Sequence, residues 1–317
     1  MSRKGQPVDV PAAVRPERVV LIAFVLLVLI GGSNAVAVRF SNSELPPFWG
    51  AGMRFAVAAL IFWIIVLARR IAVPRGRALV GAALYGLLSV GLSYAFLYWG
   101  LLRVQANLTM VVLALVPLLT IFLAWAHRLE TLGWRRVVGA VIALAGILLV
   151  VGEGLGTRIP VASFLALVAA AACIAESAVI LKLFPGGNPL ATNALALTIG
   201  GALLLGLSRV AGEAWSLPVA TNTWVAFVYL VVLGSVVLFY LYLYVLARWT
   251  ASATAYSFLL FPLATVPVAA LVAGEGITVS FLVGGALGLF GVWLGSIRGA
   301  PRAVPADPSP MAEKRGS

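Results

Sequence analysis

Ten apolar stretches, each about 20 residues long, alternate with short polar segments along the chain. About 20 helical residues cross the hydrocarbon core of a bilayer. The stretches are residues 19–40, 47–68, 78–102, 106–126, 133–151, 161–183, 189–210, 223–247, 251–273 and 278–296. The pattern predicts an all-α integral membrane protein with ten transmembrane helices.

The polar segments divide these ten spans into two sets of five. The segment 152–160 is a predicted linker between a first unit, 19–151, and a second unit, 161–297. The terminal segments 1–18 and 298–317 are rich in proline and charge, which predicts disordered tails.

A long segment of the first unit, 103–151, recurs without a gap as 248–296. Adding 145 carries Pro117 onto Pro262, and the glycines that follow stay in register. Because each unit has an odd number of spans, the second must enter the membrane upside down. The sequence therefore predicts two inverted five-helix repeats, an architecture in which one central site can face either side.

The composition excludes several classes of protein. With 62% hydrophobic and 10% charged residues and a mean hydropathy of +1.09, a water-soluble fold could not cover its surface with polar groups. The net charge of +12 does not indicate nucleic-acid binding, since the Lys and Arg residues lie mostly in tails and short loops. A single cysteine, Cys173, and a single histidine, His127, argue against a disulfide framework or a metal site, and no cofactor is predicted.

The charge distribution predicts the orientation of the chain. Lys and Arg are concentrated in the tails and in the loops on the same side as the N-terminus, which places both termini in the cytoplasm and the spans in the plasma membrane. A cleavable signal peptide is the alternative for the first span. Its removal would leave the two halves unequal, so the uncleaved span is favoured.

Several features stand out within the five-plus-five layout of spans: the GGSNAVA segment at 31–37, Arg54-Phe55 in span two, and the helices from Pro117 to Glu130 and from Pro262 to Glu275. Together they resemble the EamA-type branch of the drug/metabolite transporter superfamily. The resemblance covers about residues 19–296. It implies a ten-helix secondary transporter, commonly an exporter, with a central cavity lined by spans one, three, four, six, eight and nine. Members of this branch handle amino acids, other metabolites and toxic compounds.

Glu176 lies well inside span six, between apolar neighbours. A charge at a helix centre costs about 2.5–3.5 kcal/mol on insertion scales, so such groups usually face a cavity. We expect Glu176 either to bind a substrate amine or to carry a coupled proton. The alternative is a neutral acid that forms a hydrogen bond between helices.

Arg54 enters span two about 10 Å from the predicted outer end. It could hold a carboxylate or hydrate the cavity. Snorkelling toward the interface or a structural ion pair would also explain it.

Polar residues occupy related positions in spans one and six. With the offset of 143 that relates the early helices of the two units, Ser33 corresponds to Glu176 and Asn34 to Ser177. A substrate site on the pseudo-two-fold axis would need polar residues at corresponding positions of the two repeats. Helix packing through small and polar residues is the alternative.

Span three carries Tyr85, Ser89 and Ser93 at steps of four, so that they share one helix face. Tyr94 lies on the adjoining strip and corresponds to Phe239 of span eight. These two aromatic residues are candidates for the floor or gate of a cavity, with simple packing as the alternative.

Prolines in the middle of spans four and nine, Pro117 and Pro262, are predicted to kink both helices. Such kinks suit helices that bend during gating, although inert membrane helices also tolerate proline.

Other polar and aromatic positions fit structural roles. Glu130 and Glu275 end spans four and nine and are predicted to be turn residues. His127 suits a helix C-terminus, where a cation is favoured. Four aromatic residues near span ends are predicted to belong to interfacial belts, namely Tyr98, Trp99, Tyr242 and Tyr244.

The sequence favours a secondary transporter that moves a small polar metabolite, an amino acid or a related compound. Its energy source would be protons or the gradient of the solute itself, because no phosphate-binding GxxxxGK[ST] loop is present. An integral membrane enzyme and a channel-like facilitator are the alternatives. The expected partners are a small-molecule substrate and the lipid bilayer, with the chain as a monomer or homodimer.

Overall fold

The computed structural model describes residues 18–101, 109, 112–151, 160–273 and 279–296. Within these residues the chain forms helices and no strands. The predicted tails except Arg18, nearly all of the predicted linker, and Glu275 lie outside the described residues. The helices are Arg18–Ser41 (α1), Pro47–Ala68 (α2), 77–101 (α3), Val116–Ala126 (α4), Trp134–Val151 (α5), Val161–Leu183 (α6), Pro189–Val210 (α7), Thr221–Arg248 (α8), Ala251–Ala273 (α9) and Val279–Ser296 (α10).

The described helices have the length and surface of a multi-pass membrane protein. Seven of them are long and apolar enough to cross a bilayer, and Val116–Ala126 and Leu282–Gly295 are shorter apolar helical segments. Large apolar side chains such as Leu67, Leu165 and Leu271 are exposed on the outer surface. In water such a surface would be unfavourable, whereas in lipid it is the expected one. The fold is therefore an all-α integral membrane protein, as predicted.

The helix starts follow local sequence signals. Pro47 and Pro189 occupy the first turns of α2 and α7, where the missing N–H of proline costs no hydrogen bond. Asn188 caps α7 by accepting a hydrogen bond from the backbone N–H of Leu190 at 2.9 Å.

Helices α3 and α8 each contain a π-helical segment, Gly86–Leu92 in α3 and Val232–Val237 in α8. The 145-residue offset carries 86–92 onto 231–237, so the irregularity occurs at the same place in both repeats. Nothing in the hydrophobic pattern predicts it, because a π-helical turn has no distinct sequence period. Such turns are frequent at functional sites.

The two repeats differ at their mid-span prolines. Pro117 lies in the first turn of α4, directly after a non-helical turn at 114–115 that interrupts span four. Pro262 and Pro267 lie inside α9, which is continuous. Of these two repeat-related prolines, Pro117 therefore follows a break in its span, whereas Pro262 lies within an unbroken helix.

The packing of α5 against α10 shows the inverted relation of the repeats. A Cβ atom on Gly139 would lie 2.5 Å from the carbonyl oxygen of Gly291, and one on Gly146 would lie 2.5 Å from that of Gly284. As the residue number increases along α5, the residue it contacts in α10 has a lower number, so the two helices are antiparallel. The offset of 145 exchanges the two contacts, since it carries Gly139 onto Gly284 and Gly146 onto Gly291.

The bundle has two ends, which we call the Arg18 face, where α1 begins, and the Ser41 face, where α1 ends. At the Ser41 face two carboxylates connect the repeats. Glu44 accepts hydrogen bonds from the backbone N–H groups of Val219 and Ala220 at 2.8 and 3.1 Å. Glu213 in turn accepts from the N–H groups of Phe48 and Trp49, at 3.1 and 2.7 Å.

At the Arg18 face a third carboxylate connects the repeats. Glu130 forms an ion pair of 2.7 Å with Arg136, and its other oxygen accepts a hydrogen bond from the N–H of Ser252 at the start of α9. Tyr256 of α9 donates its hydroxyl hydrogen to the carbonyl oxygen of Arg136 at 2.8 Å. These contacts hold the end of α4 and the start of α5 against α9. Glu130 is thus more than a turn residue.

Candidate functional site

A cavity of about 520 Å³ lies in the centre of the bundle. It reaches the Ser41 face at Arg39 and Asn42, which are exposed. Toward the Arg18 face its described lining reaches Tyr242 of α8 and Phe258 of α9. These residues lie six and seven positions, or roughly 10 Å, from the ends of their helices at that face. The cavity is therefore open toward one face and covered at the other, and its volume suits a small-molecule ligand.

Arg54 places a positive charge on the cavity wall, although its side chain is almost completely buried, with 2% of the residue exposed. Its guanidinium donates a hydrogen bond to the hydroxyl of Tyr94 at 3.2 Å and lies 4.4 Å from the ring centroid of Phe55. Its Nε is buried and has no hydrogen-bond partner among the described residues.

The described contacts of Arg54 are all with neutral groups, so no negative charge among the described residues offsets its own. A cation–π contact is worth about 0.5–2 kcal/mol, and a hydrogen bond to a charged group about 1.5–3 kcal/mol. Removing a charge from water costs several kcal/mol even after relaxation of the protein. Neither the predicted snorkelling nor an ion pair with a described residue is observed for Arg54.

Aromatic rings form a connected wall beside Arg54. Tyr94 and Phe239, the pair related by the repeat, both line the cavity. Phe55 lies between them and makes edge-to-face contacts with both, at centroid distances of 4.9 and 5.9 Å. The structure therefore places both predicted aromatic residues on the wall.

A column of hydroxyl groups on α3 also lines the cavity. Tyr85, Ser89 and Ser93 all contribute to the wall, and they follow one another along the π-helical segment. Ser93 donates its hydroxyl hydrogen to the carbonyl oxygen of Ser89 at 2.6 Å.

Asn34 of α1 lines the cavity as well. Its Nδ2 donates to the carbonyl oxygen of Gly234 in the π-helical segment of α8 at 3.2 Å. Its Oδ1 is buried without a partner among the described residues. A side chain at position 234 would collide with Asn34, so glycine is what allows this contact.

The other two predicted serines lie away from the cavity wall. Ser33 forms a hydrogen bond with the hydroxyl of Tyr229 and donates to backbone carbonyls of its own helix. Ser177 is fully buried and donates to the carbonyl oxygen of Ile174 at 2.7 Å. Both side chains are thus used in helix packing.

Glu176 also lies away from the described lining of the cavity. Its Oε1 is 3.0 Å from Nε2 of His127, which follows the end of α4. The side chains are 25% exposed for Glu176 and 38% exposed for His127, and the pair lies toward the Arg18 face. The second carboxylate oxygen, Oε2, is buried without a partner among the described residues.

Several lining residues were not among the predicted site residues. Tyr98 and Tyr242 are buried on the cavity wall, so their assignment to interfacial belts was wrong. Phe258, Phe261 and Thr265 of α9 complete the wall. The repeat could have indicated that α9 lines the cavity, because span nine corresponds to span four.

The described lining of the cavity carries positive charge and no negative charge. Arg39 and Arg54 are its charged lining residues, and no carboxylate lines it within the described part of the chain. That part also contains no group of three or more His, Cys, Asp or Glu side chains that could hold a metal ion.

Known proteins with similar sequences are membrane transporters. The profile of the EamA-like transporter family matches residues 18–152 and again 161–297. The chain is 28% identical over 260 residues to a protein of Escherichia coli strain K12 described as the uncharacterized inner membrane transporter YedA, covering 80% of this chain and 81% of that one. It is 28% identical over 277 residues to a probable terminal-alkyne amino-acid exporter of Streptantibioticus cattleyicolor, covering 86% and 91%.

The fold has been observed in a solved structure. A crystal structure with 20% sequence identity superposes with a TM-score of 0.75, covering 89% of this chain and 98% of the other. Both halves of the chain match the same family profile, and the two halves of the structure pack as inverted repeats around one cavity. The chain thus belongs to the EamA-like transporter family.

Proposed function

We propose that this protein is a secondary transporter that exports a small polar metabolite, an amino acid or a related compound, by alternating access. The observation that carries the proposal is the central cavity, which reaches the Ser41 face and is covered toward the Arg18 face. Two inverted repeats can exchange such an arrangement for the one related to it by the pseudo-two-fold axis, which opens the same site to the other side.

The contacts toward the Arg18 face support this mechanism. Toward the Arg18 face, Glu130, Arg136 and Tyr256 join α4 and α5 to α9, and His127 joins the end of α4 to Glu176 of α6. A transition that opens this face would have to break some of these contacts. They are few and polar, so they can be replaced by water when the face opens.

We also propose that the Arg18 face is cytoplasmic, so that the described conformation is open to the outside. Two single-cysteine variants, Gly212→Cys and Gly186→Cys, test this orientation once Cys173 has been replaced by alanine. Gly212 lies at the Ser41 face and Gly186 at the Arg18 face, both in exposed loops. A membrane-impermeant maleimide applied to intact cells should label Gly212→Cys alone. Labelling of Gly186→Cys alone would reverse the orientation.

Transport is tested by counterflow in proteoliposomes that contain the purified protein. Vesicles loaded with unlabelled amino acid should accumulate the labelled compound transiently, and the initial rate should saturate with concentration. A channel-like facilitator would instead show flux without saturation. An integral membrane enzyme would convert the compound chemically, which chromatography of the vesicle contents detects.

A further inference from the structure

We propose that the cavity selects its substrate by a carboxylate bound to Arg54, and that an apolar, preferably aromatic, body without any required amine fills the remaining space. The proposal rests on the proposed transport function and narrows its substrate class. It predicts that a monocarboxylate lacking an amine binds at least as tightly as the corresponding amino acid.

The first observation is the incomplete set of contacts around Arg54. Its guanidinium meets one neutral hydroxyl, that of Tyr94, and the faces of aromatic rings, while its Nε has no partner among the described residues. A planar carboxylate matches the guanidinium fork and would supply both the missing acceptor and the missing negative charge.

The second observation is the position of the carboxylates. The described acidic residues near the bundle ends are engaged elsewhere, with Glu44 and Glu213 on backbone N–H groups and Glu130 on Arg136. Glu176, the residue predicted to bind an amine, faces His127. The described lining of the cavity therefore offers an amine no charged partner, which disfavours cationic ligands.

The third observation concerns the rest of the wall. Besides Asn34, two threonines and the hydroxyl groups of α3, the lining is mostly aromatic and aliphatic, and it includes Tyr94, Phe239, Tyr242, Phe258 and Phe261. Such a surface favours an apolar or aromatic group over a second charge. The geometry thus fits a ligand with a single anionic end.

Four related compounds separate the contributions of charge and ring. They are hydrocinnamate, which is an anion, phenylalanine, a zwitterion, phenethylamine, a cation, and hydrocinnamamide, which is neutral. Titration calorimetry on the purified full-length protein should give hydrocinnamate an affinity at least equal to that of phenylalanine. Its affinity should exceed those of phenethylamine and the amide by about tenfold or more.

Variants then assign the anion to Arg54. R54Q should weaken hydrocinnamate binding by about tenfold or more and leave binding of the neutral amide unchanged, which also shows that the variant is folded. R54K should retain part of the affinity, because the charge remains while the fork geometry is lost. R209Q is the matched control, since Arg209 lies at the Ser41 face over Trp215, outside the cavity lining, and should have no effect.

The outcomes distinguish the inference from the transport proposal. If hydrocinnamate fails to bind, binds no better than phenethylamine, or binds R54Q as well as the wild type, the inference is overturned. Counterflow of phenethylamine or phenylalanine in the same preparation would then still support transport. If hydrocinnamate binds in an Arg54-dependent manner but none of the four compounds shows counterflow, the inference stands and the transport proposal fails for this class.

Discussion

Oε1 of Glu130 accepts a hydrogen bond at 3.2 Å from the backbone N–H of Ser252, which joins the loop after α4 to the first turn of α9. The same carboxylate pairs with Arg136 at 2.7 Å, and both side chains are nearly buried, with exposed fractions of 7% and 8%. One side chain therefore connects the two repeats at the face where the cavity is covered.

Glu130→Ala should destabilise the protein by about 3–5 kcal/mol, because it removes one partner of a buried ion pair. Glu130→Gln should cost less, since its side-chain oxygen can still accept from Ser252. Chemical unfolding in detergent, followed by tryptophan fluorescence, measures both effects. An unfolding curve of Glu130→Ala that overlays the wild-type curve would contradict this role.

Gly139→Ala should destabilise the contact between α5 and α10 by about 1–3 kcal/mol, the usual cost of overpacking. The added methyl group would lie 2.5 Å from the carbonyl oxygen of Gly291, so the helix backbones must separate. Gly206→Ala is the control, because nothing lies within 4 Å of its added methyl group. It should be neutral or slightly stabilising, as alanine favours helices over glycine by about 1 kcal/mol. Thermal unfolding compares the two, and equal melting temperatures would be evidence against the close approach.

Glu176→Gln should change transport far more than stability. The contact with His127 is partly exposed, and exposed pairs of this kind contribute about 0–1 kcal/mol. If Glu176 carries a coupled proton, uptake driven by a pH gradient into proteoliposomes should be abolished, while counterflow at equal pH persists. His127→Gln serves as the comparison, since it removes the imidazole from the same contact and leaves the carboxylate. Full pH-driven uptake by Glu176→Gln would exclude the proton role.

Glu44 should contribute a pH-dependent stabilisation at the Ser41 face. The N–H of Val219, together with that of Ala220, holds the pKa of this carboxyl group below its ordinary value of 4.5. Because the pKa is lower in the folded state, the stabilisation is complete above the ordinary, unfolded-state pKa. It is lost as the pH falls through the folded-state pKa. The melting temperature of Glu44→Gln should therefore lie below that of the wild type at neutral pH, and the difference should close in acid. A difference that does not depend on pH would contradict the assignment.

The sequence was sufficient to predict the membrane fold because its causes are local. Length and hydrophobicity determine which segments can cross a bilayer, and the 145-residue repeat carries the inverted relation directly. Arg54, Asn34, Tyr94 and Phe239 could be predicted as cavity residues for a related reason. Polar groups and repeat-related aromatic residues within apolar helices usually face the protein interior.

The partners of the buried polar groups could not be predicted, since they depend on how helices rotate against one another. The pair formed by Glu176 and His127 joins residues from different helices, and no spacing in the sequence relates them. The positions of Tyr98 and Tyr242 were misjudged for the same reason, because closeness to a span end does not reveal which side of the helix faces lipid.

The irregular turns of α3 have a consequence for the shape of the cavity wall. In a straight α-helix, residues four apart are rotated by about 40°, so Tyr85 and Leu97, three such steps apart, would diverge by about 120°. Both nevertheless line the cavity. The wider π turn uses more residues per revolution and offsets that angular drift. A single row of side chains, Tyr85, Ser89, Ser93 and Leu97, can therefore line one continuous path along α3, which a solute follows from one depth of the cavity to the next.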